Sequence, residues 1–394
     1  MRYDIAIAGA GIGGLTAGAL LAAQGHKVTV FDRFAAPRPV GSGLVIQPVG
    51  QQVLSEIGAF DAAAARGNFI RRMYGHEIEG GRSVLDVLYD HDPDGPNRGL
   101  AIHRATLFDA ILDAAHAAGV TLAHSHEITG RQGQHLAFAN GTRDGPFDLI
   151  IDAAGASSPL SPITATPLPY GAIWGTVPWP QGTTLPIDEL RQSYRRADRM
   201  IGVLPIGQLP GQPDPQAAVF WSLPRDSHTA WRAQPLEVWK TEAITLWPEV
   251  APFLEGITDH DQMTMARYAH GTLRKPFDDG LAIIGDAAHK ASPQLGQGAN
   301  MALLDASALA RAVAQHPLDE ALPAYASARR WHVRIYQAMS WAFTPQYQSD
   351  SRWLPILRDR ILFPVSQTWP ASRVLTRLVR GDMIPPMASL TPRD

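Results

Sequence analysis

The stretch from Asp4 to Asp32, DIAIAGAGIGGLTAGALLAAQGHKVTVFD, decides the fold. An apolar run from Ile5 to Ala8 ends in Gly9, and Gly9, Gly11 and Gly14 then stand in the spacing GxGxxG ahead of a helical run of small and apolar residues. Gly9 permits a tight turn, Gly11 lets the backbone approach a pyrophosphate, and Gly14 lets the helix pack closely on the strand. Gly25 closes the helix. A second strand, Lys27 to Phe31, delivers Asp32, 23 residues after Gly9, where a carboxylate can bind the hydroxyls of an adenosine ribose. A lone GxGxxG says little, but strand, helix, second strand and terminal acid come here in order. The stretch predicts a βαβ dinucleotide-binding unit whose candidate residues also include Ile12, Gly13 and Arg33.

A second stretch, Leu281 to Ala306, reads LAIIGDAAHKASPQLGQGANMALLDA. An apolar run (Leu281, Ile283, Ile284) brings Asp286 to a strand's carboxyl end, where it can accept hydrogen bonds from polyol hydroxyls. Gly296, Gln297 and Gly298 then open a helix that continues through Ala299 and Asn300. Helix openings carry unpaired N–H groups and a positive dipole end, and so favour an anion.

Together these stretches resemble the class A flavoprotein monooxygenases, the family of para-hydroxybenzoate hydroxylase. The family pattern GDAAHxxxPxxGQGxN is met from Gly285 to Asn300, and the resemblance covers nearly the whole chain. RPVGSGLVIQPVGQQVLSEIG, which contains Gly43, is similar to the family's loop beside the flavin. IHRATLFDAIL carries Arg104 where the family has a cofactor-contacting arginine, and FTPQYQSDSRWLPILRDR is similar to its C-terminal helical segment. The resemblance implies bound FAD, NADH or NADPH as electron donor, and O2 as cosubstrate. It further implies hydroxylation of an aromatic or conjugated small molecule through a C4a-hydroperoxyflavin. By resemblance alone, Pro293 shapes the oxygen site at the flavin's reactive edge, Ile128 adds a backbone contact to adenine, and His289 is a buried structural residue.

One departure stands out. Members usually carry an Asp-Gly pair after a central strand and an Arg beyond it, associated with FAD and NAD(P)H binding. The equivalent run here is FDLIIDAAGASSPLS, with Ala154 in place of the Asp and Ser161 in place of the Arg, while Gly155 and Ser158 remain. Retained use of a nicotinamide donor is the expectation. The alternative readings are a flavin oxidase or reductase on the same fold without oxygen insertion, and a non-catalytic flavoprotein that shelters an intermediate.

Composition narrows the class. With 34 basic against 37 acidic residues the net charge is -3, which gives no electrostatic reason to bind nucleic acid. The absence of cysteine excludes disulfides, thiolate metal sites and cysteine nucleophiles. The start of the chain enters a strand by about Tyr3 with no basic region and long apolar stretch, so a cytoplasmic location is expected. His124 and His126 share one face of an expected strand but lack a third ligand, so no metal site is expected, and a solvated edge is the reading for both. DHDPDG, from Asp90 to Gly95, starts like a calcium loop but has Ala101 at the twelfth position, and reads as a turn. No GxSxG elbow supports a hydrolase.

The expected architecture is α/β (α+β) with two domains. Residues 1–67, 100–159 and 277–320 form a discontinuous Rossmann-like FAD-binding domain. Residues 68–99 and 160–276 form a β-sheet substrate domain, and 321–394 a C-terminal helical segment. Tyr170, Trp174, Trp221, His228 and Tyr268 lie on the β-like runs of the second domain and are the substrate-pocket candidates, with core packing the competing role for each. From Arg352 to Arg380 six arginines and one acid accompany Trp353, Ile356, Leu357, Ile361, Leu362 and Phe363. Pro355, Pro364 and Pro370 interrupt any long helix there, so docking on the protein's own surface is expected rather than membrane contact.

Overall fold

The computed structural model describes residues 1–35, 42–388 and 390, so Pro37, Pro39 and Gly41 of the loop after the first βαβ unit lie outside the described residues. The opening stretch forms a strand (Asp4–Ala8), a helix (Ile12–Ala23) and a second, parallel strand (Lys27–Phe31). Side chains alternate across a strand. Ile5 and Ile7 accordingly pack against the helices, whereas Ala6 faces the opposite side with Phe31 and Ile150. In space the first sheet runs Phe277–Asp278, Leu281–Ile283, Leu149–Asp152, Asp4–Ala8, Lys27–Phe31, Thr121–Ala123, and is parallel except at its first pair. The helices Ile12–Ala23 and Gly298–Gln315 cover one face. A small three-stranded sheet (Ile128–Gln132, His135–Phe138, Arg143–Asp144) covers the other through Leu136 and Phe138.

The second sheet has eight strands in the order His289–Lys290, Thr264–Thr272, Thr166–Pro178, Gln212–Pro224, Arg199–Leu209, Glu189–Arg195, Arg72–Glu77, Ser83–Leu88. One face carries Ile173, Val203, Val219 and Trp221 and packs on the helical excursion that supplies Trp239, Ala243, Trp247 and Phe253. The other carries Tyr194, Met200, Leu204, Ile206 and Phe220, and meets Val45, Tyr347 and Val379. Two boundaries expected from sequence cut across pairings. Asn68–Ile70 joins Gly99–His103 and Gly43–Ile46 in a separate three-stranded sheet, and His289–Lys290, inside the GD stretch, adds a rung to the second sheet.

The helix Leu318–Tyr347 spans both units, with the Tyr325 hydroxyl donating to Ile283 O at 2.9 Å near one end and Tyr347 packed in the second core at the other. Beyond it the chain folds as short helical turns and the helix Ala371–Arg380. That helix buries Thr376, Leu378 and Val379, but Trp353, Ile356, Ile361, Leu362, Val365 and Trp369 stay exposed, so self-docking covers only one side of the segment. Among the described residues no helix is long and apolar enough to cross a membrane.

Candidate active site

A cavity of about 720 Å³ opens beyond the carboxyl ends of the first sheet's strands, where ligands bind in open α/β folds. Each glycine of the fingerprint has a separate reason to be glycine. Gly9 has φ +100°, and a Cβ there would lie 2.7 Å from Ala153 O. At Gly14 a Cβ would lie 2.0 Å from Gly9 O, whereas at Gly11 it would meet nothing within 4 Å. Gly11 therefore faces open cavity, and the space is there for a ligand. The helix it caps has no side-chain cap and no acid in its first turn, which leaves N–H groups for a pyrophosphate. Asp32 is fixed by two backbone donors, Ala10 N–H at 2.8 Å and Phe34 N–H at 2.9 Å. Gly9, Gly11, Ile12, Gly13, Asp32, Arg33, Arg104, Ile128, Asp286, Gly298 and Ala299 all line this cavity; Gly14 is a packing residue behind it. These residues fit FAD: Asp32 stands on the cavity wall as a fixed carboxylate able to accept from ribose hydroxyls, and Gly298 offers a second uncapped helix start.

His124, His126 and Glu127 also line the cavity. The solvated edge expected for the two histidines is corrected: their strand ends at Ala123, and the chain then turns across the cofactor space. Asp90 holds its own loop by accepting from Asn97 Nδ2 at 2.7 Å.

The altered Asp-Gly run also lines the cavity, from Ala153 to Ser157. Asp152, fully buried, holds this turn by accepting from Ala154 N–H at 3.1 Å and from the Ser158 hydroxyl at 2.7 Å. Burial raises its pKa against the pull of those donors. The Ser161 hydroxyl, in place of the family's Arg, donates to Ala287 O at 2.6 Å and so ties the run to the GD turn.

Behind that turn lies a buried ionic cluster. The Asp305 carboxylate accepts from Arg329 Nε at 2.7 Å and from Gly285 N–H at 2.9 Å, and pairs with His289 Nε2 at 2.6 Å. Burial alone would raise Asp305, but the adjacent His289 and Arg329 hold it well below the usual carboxylate range. His289 is thus a positioning residue for the GD turn. Asn300 and Gln297 play a similar part. Asn300 accepts from Gln47 N–H at 2.8 Å and donates to Val45 O at 3.1 Å and Gly296 O at 3.0 Å, while Gln297 Nε2 donates to Val379 O at 2.8 Å. Neither of these two expected cofactor-binding residues is among the described residues that line the cavity; their side chains bond within the protein, apart from Gln297 Oε1, which is buried without a partner among the described residues. Gly296 takes the left-handed conformation that ends the short turn Pro293–Leu295, and Pro293 is exposed on it. Gly43 marks the seam between the two units, since a Cβ there would lie 2.3 Å from Ile206 Cγ2.

Of the five pocket candidates, Trp174 and Tyr268 sit together on the second sheet, with Trp174 Nε1 donating to the Tyr268 hydroxyl at 3.0 Å and Trp174 stacked on Phe220 with centroids 4.4 Å apart. Burial pushes the Tyr268 phenol up to about 12. The Tyr170 hydroxyl donates to Asp350 at 2.5 Å and fastens the C-terminal segment. Trp221 and His228 are corrected. Trp221 points to the opposite face from its neighbour Phe220 and packs on Trp239, and His228 stacks on Trp231 in that same outer core. A second cavity, about 90 Å³, lies between the sheet face that carries Tyr194 and the C-terminal helices and is lined also by Gln294 and Leu295 of the short turn before Gly296. Its polar lining, Gln192, Tyr194 and Arg358, was missed from sequence. The alternation in ELRQSYR could have placed Gln192 and Tyr194 on one face; nothing local announces Arg358.

The sheet order, the glycine turn and the two uncapped helix starts define an FAD-binding oxidoreductase. The chain belongs to the family described as FAD binding domain, which matches residues 2–160 and 181–337. It is 25% identical to 6-methylpretetramide 4-monooxygenase of Streptomyces rimosus, over 96% of this chain and 92% of that one. It is 26% identical to kynurenine 3-monooxygenase of Stenotrophomonas maltophilia (strain K279a), over 86% and 78%. The fold is that of a variant of 2-methyl-3-hydroxypyridine-5-carboxylic acid oxygenase, with TM-score 0.80 and 21% identity across 98% of this chain and 99% of that one. The enzyme class is that of the FAD-dependent monooxygenases, as the resemblance in the sequence implied.

Proposed function

We propose that the protein hydroxylates a small aromatic or conjugated molecule, taking one atom from O2 and electrons from NADH or NADPH. When bound, FAD supplies the redox chemistry, which no arrangement of side chains here provides. The chain's own residues bind, orient and exclude water. The observation that carries the reading is the cavity beside Gln294 and Leu295, walled largely by apolar side chains such as Met73, Val84, Phe343 and Leu378. Such walls keep water from a reactive centre. The helix start at Gly298, without a side-chain cap or an acid in its first turn, favours negative charge developing beside it. Pro293 can present no N–H at its position, in keeping with an oxygen site there.

The donor assignment rests on the run at Ala154. Asp152 and Ser161 hold that run in place without the family's Asp and Arg, so a nicotinamide donor keeps a formed surface to meet. The absent carboxylate at 154 is what favours the second reading, an oxidase or reductase without oxygen insertion. Related enzymes are named for a carboxylic acid in one case and an amide in another, so the substrate's polar group is a separate question. A cytoplasmic reaction without nucleic acid or membrane partners completes the proposal.

Two measurements test it. Anaerobic mixing of the FAD-loaded protein with NADH or NADPH is expected to bleach the flavin band, and product formed under 18O2 is expected to carry one labelled atom. Bleaching by neither donor removes the donor assignment, and hydrogen peroxide without labelled product establishes the second reading instead.

A further inference from the structure

Arg358 is the one cation among the described residues that line the cavity beside Gln294 and Leu295. Its side chain is only 1% exposed. The guanidinium lies beside two adjoining phenol rings, 5.3 Å from the Tyr194 centroid and 4.9 Å from that of Tyr347, whose own centroids are 5.3 Å apart. Three of its N–H groups have protein partners: Nε donates to Asp359 Oδ1 at 2.6 Å, and Nη1 to Gln346 O at 2.9 Å and Arg196 O at 3.1 Å. Nη2 is buried and has no acceptor among the described residues. A guanidinium donor left so is costly, and in a built site it calls for a ligand atom.

The charge of that ligand follows from the pairs already formed. Asp359 balances Arg358. Asp86, the other ionised group in the wall, is balanced by Arg72 through bonds of 2.7 and 2.8 Å. No cation of the lining is left over. A carboxylate entering here would be a buried charge without a counter-charge, whereas a carbonyl oxygen brings the acceptor that Nη2 lacks and no net charge. We propose that Arg358 makes this cavity selective for a neutral aromatic substrate with a ring carbonyl or amide oxygen, and against a carboxylate. The inference rests on the reading of this cavity as the substrate site.

The test uses three probes of similar shape on the full-length, FAD-loaded protein, with binding read from the change in flavin absorbance. They are 4(1H)-pyridone, with a neutral carbonyl; pyridine, with none; and pyridine-4-carboxylate, single rings that suit a cavity of about 90 Å³. The pyridone is expected to bind at least about tenfold more tightly than pyridine, the factor set by one unmet buried donor, and more tightly than the carboxylate. In R358M the preference for pyridone over pyridine is expected to vanish while FAD content is retained. The inference is overturned if the carboxylate binds best, if pyridone and pyridine bind alike, if folded R358M keeps the preference, or if none of the three binds. Should R358M fail to fold, the wild-type ranking decides alone. The functional reading fails by a different sign, an unbleached flavin or an unlabelled product.

Discussion

Replacing Asp305 by Asn should do more damage than any single surface change, and the structure says why. The carboxylate is fully buried and serves three partners at once: Arg329, His289 and the backbone of Gly285. An amide of the same size carries no charge and offers an N–H where an acceptor is needed, which leaves Arg329, itself 2% exposed, without its counter-charge. Removing one member of a buried ion pair costs about 3–5 kcal/mol, against a total stability of roughly 5–15 kcal/mol. Because Gly285 leads into Asp286, the loss should also weaken FAD binding. Urea unfolding of wild type, D305N, R329M and the double variant at neutral pH measures the cost and the coupling. The double variant should cost less than the two singles combined, by about 2 kcal/mol or more, because each single strands the other's partner. A D305N cost under about 1 kcal/mol, or strict additivity, would refute the placement of an ion pair at this site.

G14A should destabilise the protein even without FAD, because its Cβ meets Gly9 O at 2.0 Å, whereas G11A should leave unfolding without FAD unchanged and weaken FAD retention; thermal unfolding with and without FAD separates the two. Stability should fall with acid through His332, whose burial and proximity to Arg329 lower its pKa to about 3 from the ordinary 6.5. The neutral ring is the folded form, accepting from Arg329 Nη1 at Nδ1 and donating to Gly381 O from Nε2, so stability is complete above pH 6.5 and is lost as pH falls toward 3. The loss is at most about 5 kcal/mol, and H332Q should flatten that slope in denaturant titrations at pH 7 and pH 4.5. Asp305 does not mimic the effect between pH 7 and pH 4.5, since its carboxylate is held well below the usual range and its contribution begins to be lost only as pH falls through the ordinary carboxylate value of 3.8. Q297A should leave the Val379 carbonyl unpaired at a cost of about 1–3 kcal/mol and raise the share of NAD(P)H consumed that ends as hydrogen peroxide; unchanged coupling would make Gln297 a stability residue only.

The cofactor half was legible because its information is local. The turn at Gly9, the helix start at Gly11 and the acid at Asp32 are fixed by backbone geometry within one βαβ unit, so their residue types report directly on structure. The substrate half was less so. AAVFWSL, from Ala217 to Leu223, is buried on both faces of its sheet, so its apolar run carries no alternation to tell Phe220, which packs in the core with Val45 and Tyr347, from Trp221, which packs on Trp239. Gln297 and Asn300 sit in a motif that announces a cofactor, yet their side chains serve the protein, because a motif identifies a segment and not which of its atoms face the ligand. Arg358 belongs to a short helical turn more than 150 residues from Tyr194, and only tertiary packing brings the two together.

That packing also ties the start of the helix Gly298–Gln315 to the wall of the second cavity. Gln297, at the cap of the flavin helix, holds Val379, and Tyr336 on the long helix holds Leu378 through a hydroxyl donated at 3.0 Å. Leu378 and Val379 line the cavity that Arg358 lines, and the same helix is fastened to the edge of the second sheet by the Thr376 hydroxyl on Leu88 O at 2.9 Å. The wall of this cavity therefore hangs from the residue that caps the helix Gly298–Gln315. Loss of the Gln297 bond is expected to reach that wall at Leu378 and Val379, which makes Q297A the variant that tests a link between the two cavities.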